Sequence, residues 1–175
     1  MIPPEFSRPQ RVDTIGTAPR AVSIDADATE RAALAKRFDL IAIDALHASF
    51  DIWRDGAAIM ARGTVTASVT QACIATGVPL PATIDTPAML RFVPETALDT
   101  PPDDEIELSE DDCDVVSFTG GAIDLGEAAA ETMALALDPY PRAPDADAAL
   151  RAAGIKSESE AGPFAALAAL KGKGD

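Results

Sequence analysis

Few residues of this chain have the types and spacing that chemistry requires. His47 is the single histidine in 175 residues. No Ser or Cys lies in a nucleophile-elbow motif that could use it as a base. Two cysteines, Cys73 and Cys113, with one histidine are too few for a zinc site. Asp103-Asp104 and Asp111-Asp112 could gather a divalent cation, but they lack calcium-loop spacing. Gly120-Gly121 stands ahead of a helical pattern, yet it is no phosphate-binding loop, and Asp124 and Glu127 beyond it would repel phosphate. The expectation is a protein with no catalytic residue, no metal and no cofactor.

The chemistry that remains is charge. Residues 92–141 hold 14 carboxylates and not one Lys or Arg, against 9 bases and 10 acids in residues 1–91 and 5 of each in residues 142–175. The formal net charge of −15 is thus nearly all in one block. Such a block repels phosphate backbone and favours a basic partner. Within it, Asp124, Glu127, Glu131 and Asp138 fall on one stripe of a helix expected over 124–138, at about 100° per residue. Leu125, Ala129, Met133 and Leu137 fall opposite and should face the core. On this reading the stripe is exposed, and replacing Glu127 and Glu131 by Lys leaves the fold intact.

The elements that position this helix are legible in order. Residues 1–19 form an extended arm with an edge strand near Arg11–Ile15. Arg20–Asp25 alternates as a strand. Asp27 caps a helix over Ala28–Phe38, with Glu30 in the capping-box place and Leu34 and Phe38 as its buried stripe. A short apolar run, Leu40–Leu46, precedes the strand His47–Trp53, and Arg54-Asp55-Gly56 is a hairpin turn. Ala58–Ala72 runs back, with a bulge or bend expected at Gly63. A turn at 76–79 leads to a strand over Leu80–Val93 that Pro81 and Pro87 interrupt or place at an edge. Residues 95–112 are an acidic loop with at most a short strand at Ile106–Leu108, and 114–118 is a buried strand. Asp138-Pro139-Tyr140-Pro141 stops the helix. A short helix is possible at Asp145–Ala153. The fold class is α+β, an antiparallel β-sheet (a meander or partly open barrel) with a few packed helices and a flexible C-terminal tail. The domain spans 1–141, with its acidic segment at 92–141, and the tail spans 142–175. In that tail Phe164, Leu167 and Leu170 share a helical face. They dock on the sheet or, as favoured here, on a partner. No apolar run is long enough to cross a membrane. The N-terminal residues MIPPEFSRPQR hold no apolar signal core, so the protein is expected in the cytoplasm with free thiols.

Three stretches together resemble the bacterial YceD family, the large ribosomal RNA subunit accumulation proteins, in an alphaproteobacterial-type form. They are Glu5-Phe6-Ser7-Arg8-Pro9, then Gly120 to Glu127 continuing through Glu131 to Arg142, and Pro163-Phe164-Ala165 to Lys171. Many members carry a Cys-x-x-Cys between the middle strands. Here Thr76 stands where the second Cys would be, three positions after Cys73, so a metal or redox role is not carried over. The resemblance implies a role in making or protecting large-subunit ribosomal RNA and brings no catalytic residues. Together with the charge, it points to a non-enzymatic ribosome-biogenesis factor. It would bind a basic ribosomal or assembly protein of the large subunit through Asp124, Glu127, Glu131, Asp138, Phe164, Leu167 and Leu170, and would touch ribosomal RNA only indirectly. Two alternatives stand beside it. One is direct RNA binding through Arg8, Arg11, Arg20 and Trp53. The other is a metal-assisted nuclease built on the Asp clusters.

Overall fold

The computed structural model describes residues 4–95 and 114–155. The sequence expectations for Ile106–Leu108, the clusters at 103–104 and 111–112, Cys113, and Phe164, Leu167 and Leu170 lie outside those residues. The chain divides into two compact units, Met1–Gln71 with Pro81–Asp138, and Ala72–Leu80 with Pro139–Asp175.

The first unit is α+β. Its strands are β1 (Pro9–Arg11), β2 (Arg20–Asp25), β3 (Ala42–Asp55), β4 (Ala58–Ala72), β5 (Pro79–Pro94), β6 (Asp114–Phe118) and β7 (Ala122–Asp124), with helices α1 (Ala28–Arg37) and α2 (Leu125–Leu135). Strands β2 to β6 form one open sheet in sequence order, and β1 pairs with β7 in a separate two-stranded ribbon. The meander is therefore correct and the barrel is not. The sheet departs from a pure antiparallel order at its end, where β6 runs parallel to β5.

The pleat explains the core. Leu46, Ala48, Phe50 and Ile52 on β3 are buried, as are Val65, Ala67 and Val69 on β4 and Ala88, Leu90 and Phe92 on β5. Alternate residues of a strand share a face, and this face joins Leu34 of α1 and Leu125, Ala129 and Met133 of α2 in one apolar cluster. Pro81 and Pro87 fall outside Leu90–Pro94, the part of β5 that β6 pairs with. Among the described strands that half of β5 borders only β4, an edge position that tolerates Pro.

Several local expectations change, and β6 is not the buried strand its pattern suggests, since none of its residues is buried and Val115 is 59% exposed. The hairpin of β3 and β4 closes one residue later than Arg54-Asp55-Gly56 suggests. Asp55 pairs with Ala58, and Gly56, at φ 59°, supplies the turn. Gly63 makes no bulge, because Phe50 and Gly63 pair in unbroken register. The shift in register lies instead between Ile43 and Ala45. What Gly63 accommodates is contact, since a Cβ there would lie 1.8 Å from Ser49 O. The arm is strand only over β1, and Val12–Thr14 is a turn of 3-10 helix. Helix α2 ends at Leu135 rather than at 138. Ala136 N–H bonds back to Thr132 O and Met133 O, both at 3.2 Å, which tightens the last turn before Pro139.

In the second unit Cys73, Ala143 and Ala146 form a small core, against which Ala75 and Leu80 pack. Cys73 is a free thiol, 2% exposed. Ala143 N–H donates to its Sγ at 3.3 Å. Thr76 Oγ1 is buried without a hydrogen bond of regular geometry. Its hydroxyl, with the Ala143 N–H second, still holds the Cys73 thiol below its ordinary 9.0, at about 7. A short helix, α3 (Ala146–Ala152), follows.

Candidate functional site

Helix α2 carries the acidic residues, and the N-terminal arm fixes it in place. Asp124 ends β7 and caps α2. Its Oδ1 accepts from Gly126 N at 2.9 Å and Glu127 N at 3.2 Å, filling two of the donors that a helix start leaves open. The same oxygen accepts from Arg8 N at 2.7 Å, and Ser7 Oγ donates to Oδ2. Leu125 N–H donates to Arg8 O at 3.3 Å. The arm lies so close over the first turn that a Cβ on Gly126 would sit 2.5 Å from Phe6 O. Phe6 itself is fully buried.

The arm also reaches α1. Arg8 spans both oxygens of Glu30 at 2.7 and 2.9 Å and donates to Asp25 O at 2.9 Å. Glu30 simultaneously accepts from Asp27 N at 2.8 Å, completing the expected capping box. Arg37, in the last turn of α1, takes Glu5 at 3.0 Å and both oxygens of Glu127 at 2.7 and 3.0 Å. The two stretches around Glu5–Pro9 and Gly120–Glu127 are therefore one interlocked assembly. Neither local periodicity nor spacing could show this, because each half finds its partner more than 110 positions away in the chain.

These pairs have a pH consequence. Arg8 holds the Glu30 carboxyl below its ordinary 4.5. Glu5 is lowered too, first by its own backbone N–H and then by Arg37. A depressed carboxylate contributes stability that is present above its unfolded value and is lost as pH falls through the lower folded value. We expect the denaturant midpoint to hold from pH 7 down to about 4.5 and then to fall, and Arg8→Gln to flatten that fall. A variant with the native acid limb would show that the pair contributes nothing.

The four acidic residues expected on one stripe are placed differently from one another. The inward face is as expected, with Leu125, Ala129 and Met133 fully buried and Leu137 packed on the core. Asp124 is the cap and Glu127 is chelated by Arg37, so neither is the uncommitted surface charge that the spacing suggested. A Lys at 127 would face Arg37, and the expectation that such a change is harmless does not extend to that position. Asp138 lies beyond the helix, and its carbonyl accepts from Gln71 Nε2 at 2.9 Å. Glu131 is exposed and makes no ion pair among the described residues. Partial burial, then repulsion from Glu127, push its carboxyl above the usual range, and Arg37 opposes the shift.

Three other sequence candidates are engaged within the chain. Arg11 pairs with Asp13, and Arg20 donates to Gln10 at 3.0 Å. His47 meets Asp25 at 2.9 Å across the β2–β3 ladder. Among the described residues no three His, Cys, Asp or Glu gather closely enough to hold a metal ion. No described helix is long and apolar enough to cross a membrane.

Residues 61–171 match the model of a family described as large ribosomal RNA subunit accumulation protein YceD. No curated protein and no solved structure is a match to the chain.

Proposed function

Because the chain belongs to the YceD family of large ribosomal RNA subunit accumulation proteins, we propose that it is a non-enzymatic assembly factor that holds a basic ribosomal or assembly protein of the large subunit. Through that protein it supports the synthesis, processing or stability of the large-subunit RNA. The observation that carries this reading is the stretch 92–141, with 14 carboxylates and no base. Glu131 and Asp138 form the contact, while Asp124 and Glu127 shape it by fixing α2. Phe164, Leu167 and Leu170 add an apolar contact to the same partner. Direct RNA binding is less favoured, because Arg8 and Arg11 are ion-paired and Arg20 bonds Gln10 within the chain.

Two measurements test this. The purified protein should bind large-subunit RNA only when basic large-subunit proteins are present. Glu131→Lys should keep native thermal stability, since exposed charges contribute little, and should lose most co-sedimentation with large-subunit precursor particles. Unchanged co-sedimentation, or equal binding to naked RNA, would overturn the reading.

A further inference from the structure

Helix α2 and the last strand of the open sheet, β6, leave a groove between them. Its volume is about 240 Å³, and Leu90, Val116, Ala128, Glu131, Thr132 and Leu135 line it. The four helical residues are spaced i, i+3, i+4 and i+7, one continuous stripe of α2. Thr132 Oγ1 is satisfied by Ala128 O at 2.8 Å, so the helical wall is apolar apart from Glu131. The helical side carries Leu135, 83% exposed, and the strand side carries Val116, partly buried against the core. Large aliphatic side chains that flank a concave surface mark an interaction site more than isolated ones do.

Charge selects the occupant. Asp114 also lines the groove, and it is exposed. Both carboxylates belong to the stretch that contains no base. Glu131 is partly desolvated and repelled by Glu127. A cation brought to it would offset both effects by favouring the charged carboxylate, whereas phosphate would add to the repulsion. A second copy of the chain would bring the same net charge of −15.

We propose that this groove seats a basic amphipathic segment of a partner protein, with an aliphatic side chain held against Leu135 and Val116 and a Lys or Arg on Glu131. The proposal rests on the acidic-surface reading and narrows it to one place and one chemistry.

The probe is a labelled helical peptide of leucines and lysines, followed by fluorescence anisotropy on the full chain. Controls are the same peptide with serines for the leucines and with glutamates for the lysines. The leucine–lysine peptide should bind and both controls should not. Leu135→Ser and Glu131→Gln should each weaken it about tenfold, and Asp85→Asn, on an exposed position of β5, should not. Leu135 and Glu131 are exposed, so loss of binding with native thermal stability reports the site and not the fold. Native-like binding by the groove variants overturns the proposal. If Asp138→Asn then weakens the peptide instead, the acidic-surface reading survives without the groove. If the groove variants weaken the peptide but no basic large-subunit protein binds the chain, the groove stands and the proposed function falls. If the peptide binds only a chain ended at Ile155, the chain's own terminal segment is the occupant, and the proposal is wrong.

Discussion

Gly63→Ala is expected to destabilise the protein by about 3 kcal/mol or more, from the addition of a single methyl group. That Cβ would lie 1.8 Å from Ser49 O, 2.8 Å from Ser49 C and 2.9 Å from Phe50 Cα. All three neighbours are backbone atoms, so no side chain can turn away to make room. Strands β3 and β4 would have to separate where Phe50 pairs with Gly63, near the middle of a ladder running from Ala42↔Thr70 to Asp55↔Ala58. Phe50, Ile52 and Val65 are almost wholly buried around that point, so parting the strands also opens the core. Typical domains hold only about 5–15 kcal/mol in total, so this change takes a large share. Denaturant midpoints give the measurement. Gly16→Ala is the control, because a Cβ there meets nothing within 4 Å. It should shift stability by less than about 0.5 kcal/mol. A Gly63→Ala protein as stable as the Gly16→Ala protein would mean that the two strands are not this close.

Asp124→Ala should cost about 3 kcal/mol. Loss of a helix cap alone costs about 1–2 kcal/mol. Here the same carboxylate also takes Arg8 N–H and the Ser7 hydroxyl, and hydrogen bonds to a charged group add about 1.5–3 kcal/mol. The contributions share one side chain and do not add fully. Asp124→Asn keeps an acceptor oxygen in the capping position, and Asn is a good cap, so it should recover part of the loss. The pattern matters more than either value. A helix cap acting alone predicts Asn close to Asp, while the interlock with the arm predicts an intermediate Asn. Ser7→Ala in the Asp124→Ala background should then cost less than Ser7→Ala alone, and full additivity would deny the interlock.

What the sequence made legible was local. Asp27 and Glu30 are three residues apart, and the capping box they predict forms with both of its bonds. The β3–β4 hairpin followed from β-branched residues around Gly56, and the inward face of α2 followed from its period. What was hidden depends on partners distant in the chain. Glu127 had the spacing of a solvated stripe, and nothing near it in sequence says that Arg37 takes it. Gly63 was ambiguous because bulge and close approach leave the same trace in one strand. The parallel pairing of β6 was equally silent, since five residues of strand pattern carry no direction.

The interlock of arm and helix also sets an order of events during synthesis. Pro9 pairs with Asp124, and Arg8 N–H bonds a carboxylate 116 positions further on. The β3–β4 hairpin, by contrast, closes a two-residue loop, and β2 meets β3 across the short segment that holds α1. Contacts of low sequence separation form first, and distant ones wait for loop closure. At a typical elongation rate of about 5–20 residues per second, the arm is made roughly 10 s before its partner exists. During that interval Phe6, destined for full burial, lacks the first turn of α2, against which its backbone lies. A chain stalled before residue 124 would thus carry a sheet with an unfastened arm, and the arm serves as a latch that shuts only once residue 124 has been made.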